Sequence, residues 1–383
     1  MTGYDVAIVG FGAVGAAAAL QLSQRHANVI AFDRFEPPHA FGSSHGETRV
    51  TRLAVGEGDH LTPLAMRSHE LWREIERESG ADLLSQSGAL IISSGDNAAQ
   101  THVSGFFGKT VAAANAFGIP HEMLSAAQVR ARWPAFNMHD SEFAYFEPSA
   151  GFVRPEACVA AQLQLARAHG AKIRASETVL GFQPSGDTVV LTTNKARYEA
   201  SRLILAAGAW LPQILPAFAP LFKIYRQTQF WFAVDDPAAF APARFPVFIW
   251  ELRNSRRGIY GFPAIDGAAA IKIASEEFAG TTTAETVREI SQAEIDAVYR
   301  LLAPHLSGVT PHCLRATACL YTVTPDFGFV IDTHPDSERI LIASACSGHG
   351  FKHSPAIGEI LADMALGLRP KFDLAPFRLR RLS

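Results

Sequence analysis

Cysteine is scarce in this chain. Its 383 residues hold four, Cys158, Cys313, Cys319 and Cys346, and no two of them form a C-x-x-C pair. That spacing argues against a disulfide framework and gives no zinc site, so no metal is expected. An excess of charge of either sign is also missing: 34 Lys and Arg stand against 37 Asp and Glu, a net charge of −3. Such balance gives no electrostatic reason to expect nucleic acid or an anionic membrane as a partner. The apolar stretch around Ala16 to Leu20 is too short to span a bilayer. No basic segment precedes an apolar core at the N-terminus, so secretion is not expected and a cytoplasmic location is. Internal repeats and low-complexity linkers are missing as well. With 48% hydrophobic and 19% charged residues, the chain has enough apolar material for two domains and a large core.

What is present begins with YDVAIVGFGAVG, Tyr4 to Gly15. Asp5 to Val9 is a short apolar run with β-branched members, bounded by Gly10, and suits a buried parallel strand. Gly10, Gly12 and Gly15 follow in G-x-G-x-x-G spacing, ahead of an alanine-rich stretch from Ala16 to Leu22. Each glycine answers a need of a dinucleotide site: a tight turn, bare backbone against a pyrophosphate, and close helix-to-strand contact. The helix N-terminus offers free N–H groups and the positive end of its dipole to the phosphates. A second strand, Asn28 to Phe32, ends at Asp33, near the expected offset for a carboxylate that takes ribose hydroxyls. The loop alone does not choose between FAD and NAD.

The rest of the chain alternates helices and strands. Thr62-Pro63 opens a helix with Leu64, Leu71, Trp72 and Ile75 on one face, closed by Gly80. Strands are expected over 88–94, 178–183, 188–193 and 203–206, with a capped helix over 125–132 that has Gln128 at its capping-box position. Residues 155–169 read as a helix. The patch Gln227 to Val234 carries Phe230, Trp231 and Phe232 in succession, so aromatic side chains would face both sides of a sheet. Residues 283–302 read as one helix with Val287, Ile290, Ile295, Val298 and Leu302 on a broad face, and Ser354-Pro355 begins a last amphipathic helix ending near Gly367. These elements predict an α/β fold. A Rossmann-type dinucleotide-binding domain from residues 1–85, 150–217 and 326–383 is interleaved with a sheet-rich α+β substrate domain from 86–149 and 218–325.

Toward the C-terminus stand RATACLYTVTPD, Arg315 to Asp326, and SGHGFKHS, Ser347 to Ser354. Together with GSSHGETRVTRLAVGEGDHLTPLAMRSHELW from Gly42 to Trp72, LAAGAW, YGFP and the closing FDLAPFRLRRL, they resemble the monomeric sarcosine oxidase and N-methyl-L-tryptophan oxidase family. These are FAD enzymes of the D-amino acid oxidase group, and the resemblance covers essentially the whole chain. It implies a monomeric flavoprotein oxidase that uses O2 to oxidise the C–N bond of a secondary-amine amino acid, releasing hydrogen peroxide. It also implies FAD held covalently by Cys319 through an 8α-S-cysteinyl link. Its cofactor set falls on Gly10, Gly12, Val14, Gly15, Asp33, Arg34, Ser43, Thr48, Val179, Gly208, Gly348, Gly350, Phe351 and Lys352. Arg49 and His45 match residues lying against the flavin and would supply a cation that lowers the thiol pKa. Arg52 and Lys352 match two cations that clamp the substrate carboxylate, fixing orientation and charge. Lys272 matches a lysine that activates oxygen, where an ammonium stabilises developing negative charge. Tyr260 and Tyr321 match positions bordering the site, whose hydroxyls orient the amine.

The chain departs from that pattern in places. Ser44-His45 stands where relatives have two histidines, and Glu47 where they have Asp. Glu276 stands four residues after Lys272, where sarcosine oxidases have a histidine that helps enclose the substrate; here it reads as a solvated strand-end charge, or, if it reaches the site, as a partner for a cationic substrate tail. Arg256 and Arg257 have no counterpart. The substrate is therefore open among sarcosine, a larger N-methyl amino acid, a cyclic imino acid and a sugar-linked amine. A flavin dehydrogenase that passes electrons elsewhere is the alternative activity.

Overall fold

The computed structural model describes residues 3–95, 98, 103–255 and 257–382. Tyr4–Val9 lies inside an eight-stranded sheet, paired in parallel with Val29–Phe32 on one side and Arg197–Leu205 on the other. Lys172–Arg174 extends the sheet past Val29–Phe32, and Ser337–Ser344 runs parallel to Arg197–Leu205. Antiparallel strands Val179–Ser185, Thr188–Thr193 and Val330–His334 complete it. Parallel strands are covered on both faces, which explains an apolar run without alternation: Val29, Ile30, Ala31 and Phe32 are all fully buried.

Helix Ala13–Ser23 packs against helices Pro155–Ala168 and Ser354–Ala365. Small side chains allow this crowding. Ala16 to Ala19 are buried, and a Cβ on Gly358 would come within 2.5 Å of Ala17. Ser354–Ala365 is not the amphipathic helix expected from its sequence; nine consecutive residues from Ser354 to Ala362 are buried, because Ala13–Ser23 and Thr62–Ser79 cover it from two sides. Thr62–Ser79 starts with Pro63 in its first turn and ends at Gly80, which is left-handed and donates its N–H to the Glu76 carbonyl at 2.8 Å.

A nine-stranded sheet runs in the order Thr281–Thr282, Lys223–Val234, Ala270–Ala274, Ile259–Phe262, Val247–Glu251, Ala89–Ser93, Phe143–Glu147 and Glu122–Ser125, with Val309–Val323 also paired to Lys223–Val234. One of its faces is an aromatic core in which Phe230, Phe232, Phe245 and Phe248 meet Phe136. The Phe136 and Phe245 rings stack with centroids 4.9 Å apart, and such a pair adds about 0.5–1.5 kcal/mol beyond its buried area. Strand alternation turns Gln229 and Trp231 to the opposite face.

The helix expected over residues 283–302 is shorter, Gln292–Leu302. Ser291 and Glu294 form a reciprocal capping box that fixes its start. Upstream, Val287 is exposed, and Arg226 donates to the Val287 and Glu289 carbonyls, holding that segment out of helical geometry. Among the described residues, no helix is long and apolar enough to cross a membrane.

Candidate active site

Two concavities meet at Arg49, Tyr321, Gly348 and Phe351, which line both. The first is a cleft at the C-terminal ends of the parallel strands, where Val9, Phe32, Ala206 and Ser344 contribute to its wall. Gly10, Gly12, Val14, Asp33, Arg34, Ser43, Val179, Gly208 and Gly350 line it too. Gly10 adopts φ +84°, and a Cβ there would stand 2.6 Å from the Ala206 carbonyl oxygen. Gly15 serves packing rather than the wall, since a Cβ on it would overlap the Gly10 carbonyl oxygen. Asp33 accepts the N–H of Phe11 at 3.1 Å and of Phe35 at 3.0 Å, which ties the two loops together beside the cleft. The hydroxyls of Ser344 and Ser354, both in the wall, are buried and have no hydrogen-bond partner among the described residues. Bare glycine backbone, a helix N-terminus and buried hydroxyls awaiting a partner fit FAD.

The second cavity has a volume of about 510 Å³. Strand register explains how its chemistry is gathered. Lys272 lies opposite Trp231 and Phe262, and Ala274 opposite Gln229 and Tyr260. Trp231 lies opposite Arg315, Gln227 opposite Cys319, and Tyr225 opposite Tyr321. Directly paired residues share a face, so one side of the sheet presents Tyr260, Lys272, Gln229, Arg315, Cys319 and Tyr321 together.

The loop after Ser43 supplies the next layer. Gly46 (φ +97°) and Glu47 (φ +66°) are left-handed, and Glu156 holds them by accepting the Gly46 N–H at 2.5 Å and the Glu47 N–H at 3.1 Å. A Cβ on Gly46 would collide with Gln229 Oε1. The turn aims the Gly46 and Thr48 carbonyls at Lys272 Nζ, 2.8 and 2.5 Å away. Nζ also sits 4.0 Å from the Phe262 ring centroid. Burial first, and the Arg49 charge next, hold the Lys272 pKa well below that of a free lysine. Lys272 and Thr48 stand behind the cavity walls rather than in them. Arg49 donates to the Thr48 and Ser43 carbonyls, both at 2.8 Å.

Cys319 is fully buried, with Gln229 Nε2 3.1 Å from its sulfur. Burial pushes its thiol pKa up, and the Arg49 charge opposes this only in part. His45 does not supply the cation expected beside that sulfur. Its own burial, followed by the charge of Arg49, takes its pKa down to about 3, so the ring is neutral, and it lines neither cavity.

Arg52 and Lys352 do converge, and they do so on Glu57, which sequence reasoning missed. Arg52 Nη2 lies 2.5 Å from Glu57 Oε2, and Lys352 Nζ lies 3.6 Å from Oε1. Arg52 also donates to the Ala54 carbonyl, and Lys352 to that of His349 at 2.8 Å. The one sequence hint was Gly56 beside it, packed too closely against Phe106 to carry a side chain. Burial lowers the Lys352 pKa to about 8, with Glu57 opposing the shift. The hydroxyls of Tyr260 and Tyr321 lie 3.3 Å apart, and burial raises both their pKa values.

Glu276 is not the solvated charge that its position after a strand suggested. The strand Ala270–Ala274 ends before it, and its side chain turns into the second cavity, where a Cβ on Gly348 would meet Glu276 Oε1 at 3.2 Å. Arg257 lines the same cavity and pairs with Glu277; Arg256 lies outside the described residues.

The chain resembles known proteins along nearly its whole length. The chain is 38% identical to monomeric sarcosine oxidase of Streptomyces avermitilis over 388 aligned positions, covering 99% of this chain and 98% of that protein. It is 34% identical to N-methyl-L-tryptophan oxidase of Salmonella typhimurium, covering 99% of each. Among solved structures, NikD, described as an unusual amino acid oxidase essential for nikkomycin biosynthesis, superposes with a TM-score of 0.85 at 24% identity, covering 99% of this chain and 98% of that one; at such identity it speaks to the fold. The profile of the FAD dependent oxidoreductase family matches residues 5–364, nearly the full length, and the chain belongs to that family.

Proposed function

We propose that this protein is a flavoprotein oxidase that oxidises the C–N bond of a secondary-amine amino acid with dioxygen, releasing an imine, or an aldehyde plus an amine, together with hydrogen peroxide. The relatives named as oxidases of sarcosine and N-methyl-L-tryptophan support this class. The observation that carries it is the pairing of Arg52 and Lys352 in a cavity that joins the cofactor cleft at Arg49, Tyr321, Gly348 and Phe351.

FAD, when bound, accepts a hydride equivalent from the substrate carbon next to nitrogen and delivers the electrons to oxygen. We assign its holding to residues 1–85, 150–217 and 326–383, and substrate enclosure to residues 86–149 and 218–325. Gly10, Gly12, Val14 and the following helix would hold the pyrophosphate, and Asp33 and Arg34 the adenosine half. Cys319 would carry the covalent link. Arg52 and Lys352 take the substrate carboxylate and fix which carbon is presented. Tyr260 and Tyr321 orient the amine, and Arg49 stabilises negative charge at the junction. Lys272, held by two carbonyls, serves the oxygen half of the reaction.

The test is peroxide release and anaerobic bleaching of the flavin across a panel of N-methyl amino acids, cyclic imino acids and primary amino acids. Bleaching by a secondary amino acid with peroxide formed on readmitting air is the expected result. Bleaching without rapid reoxidation by air would instead mark a dehydrogenase.

A further inference from the structure

The peptide bond between Gly46 and Glu47 meets a charge at each end. Its carbonyl, that of Gly46, accepts from Lys272 Nζ at 2.8 Å. Its N–H, that of Glu47, donates to Glu156 Oε2 at 3.1 Å and Oε1 at 3.2 Å. A peptide dipole is positive at the N–H and negative at the carbonyl, so this orientation favours both charges. The preceding N–H, of Gly46, also donates to Glu156 Oε1 at 2.5 Å, and the Thr48 carbonyl accepts from Nζ at 2.5 Å. A carboxylate and an ammonium thus face each other through one turn, in a chain of bonds whose members polarise one another. The turn needs this support, because Glu47 at φ +66° is in a region that a residue with a side chain rarely adopts.

Burial first, and Arg49 next, favour the neutral form of Lys272; of the groups that oppose them, Glu156 acts most strongly. The remaining neighbours do less. From the 43–49 loop come the neutral His45 ring and Glu47, whose carboxylate takes the Trp231 indole N–H at 2.6 Å and pairs with Arg315. The strand Val309–Val323 brings Arg315 itself and Cys319, whose thiol burial keeps protonated. Trp231 and Phe262, opposite Lys272 on the flanking strands, are uncharged. Glu156 comes from the first turn of helix Pro155–Ala168 and is bound by backbone amides rather than by a cation. Arg154, just before it, is engaged by Asp82 and Asp266.

We propose that Glu156 is a positioning residue for the oxygen half of the reaction: through the Gly46–Glu47 peptide it holds the Lys272 side chain in place and keeps it an ammonium. This rests on the oxygen role given to Lys272 above and adds what sustains it. Dioxygen gains negative charge as it takes electrons from the reduced flavin, and only the charged form of Lys272 offsets that charge.

The experiment compares the wild-type holoenzyme with Glu156→Gln and Glu156→Asp. Glutamine can still accept an N–H of the turn but carries no charge, whereas aspartate keeps the charge and draws it back by one methylene. Two quantities are followed against pH. One is reoxidation of the reduced flavin by dioxygen in stopped flow. The other is the titration of Lys272, by NMR of lysine labelled at Cε, with its signal assigned through Lys272→Met. Removing an anion near an ammonium lowers the ammonium's pKa. In Glu156→Gln the Lys272 titration should therefore move down by about one pH unit or more, a tenfold loss of ammonium above both midpoints. The fall of the reoxidation rate with rising pH should move with it, while anaerobic bleaching by an N-methyl amino acid changes by less than about twofold. Glu156→Asp should shift both in the same direction by less. An unmoved Lys272 titration in Glu156→Gln overturns the inference. So does equal slowing of bleaching and reoxidation at every pH, the mark of a turn that has only lost its shape. If Glu156→Gln does not fold, Glu156→Asp decides by the same two quantities. Should Lys272→Met reoxidise as fast as the wild type, the oxygen role of Lys272 falls and this inference with it.

Discussion

Lys352 is caught between burial, which favours its neutral form, and Glu57, which favours the ammonium; the balance puts its pKa at about 8. Its folded-state value is thus below that of a free lysine, so the clamp has its full charge only below about pH 8 and loses it as pH rises. The substrate carboxylate stays ionised throughout, whereas the substrate amine becomes reactive on losing its proton as pH rises. Opposed trends give a bell-shaped dependence of kcat/KM on pH, with KM climbing above about pH 8. Lys352→Met should abolish the alkaline limb that KM reports, and retention of that limb would assign it elsewhere. At Lys272 the prediction separates the half-reactions. Lys272→Met should slow reoxidation of the reduced flavin by about a hundredfold, the usual size of a lost electrostatic donor, and change anaerobic bleaching far less. Equal losses in stopped-flow traces would remove its oxygen role.

The glycine loop and its helix act as one piece. Gly15→Ala would force the new methyl into the Gly10 carbonyl, opening the loop that faces the pyrophosphate. We expect it to purify with about tenfold less flavin per protein, read from visible absorbance. Ser291→Ala, by contrast, removes one arm of a capping box on an exposed helix start. It should cost about 1 kcal/mol of stability in denaturant titration and leave the flavin spectrum unchanged. Elements with a local signature were legible from sequence: the apolar run of Tyr4–Val9, the Pro63 and Gly80 bounds of Thr62–Ser79, and the Ser125 cap, where Gln128 closes a capping box. The failures were tertiary. Apolar spacing extended the Gln292–Leu302 helix backward over residues that Arg226 holds in another conformation. Spacing also made Ser354–Ala365 one-sided, when two other helices bury its polar positions, Glu359 among them.

For the whole molecule, the decisive question is where the yellow colour goes. Acid precipitation of the wild type should leave the flavin in the pellet, and Cys319→Ala should release it to the supernatant. Light scattering should return the mass of one chain, about 41.4 kDa. The motifs pointed to Arg52, Lys352, Lys272 and Cys319 as candidates because each stands in a distinctive local string, and the structure brings Arg52 and Lys352 together on Glu57. They could not name Glu57 between Arg52 and Lys352 or Gln229 beside the Cys319 sulfur. Glu156, which shapes the Gly46–Glu47 turn, comes from a distant segment and has no pattern of its own. His45 lay within the right string, but its charge depends on enclosure by neighbours that a string does not display.

The shared register of Lys223–Val234 with Val309–Val323 and Ala270–Ala274 gives the face that carries Lys272 and Cys319 a parity. Deleting any one residue within Lys223–Val234 would swap its sides beyond the cut, sending Gln229 or Trp231 into the phenylalanine layer and bringing Phe230 or Phe232 out beside Lys272. Two-residue changes preserve the alternation and single ones reverse it. Length variation among working descendants of this protein should therefore collect in the turns that join these strands and spare the strands themselves.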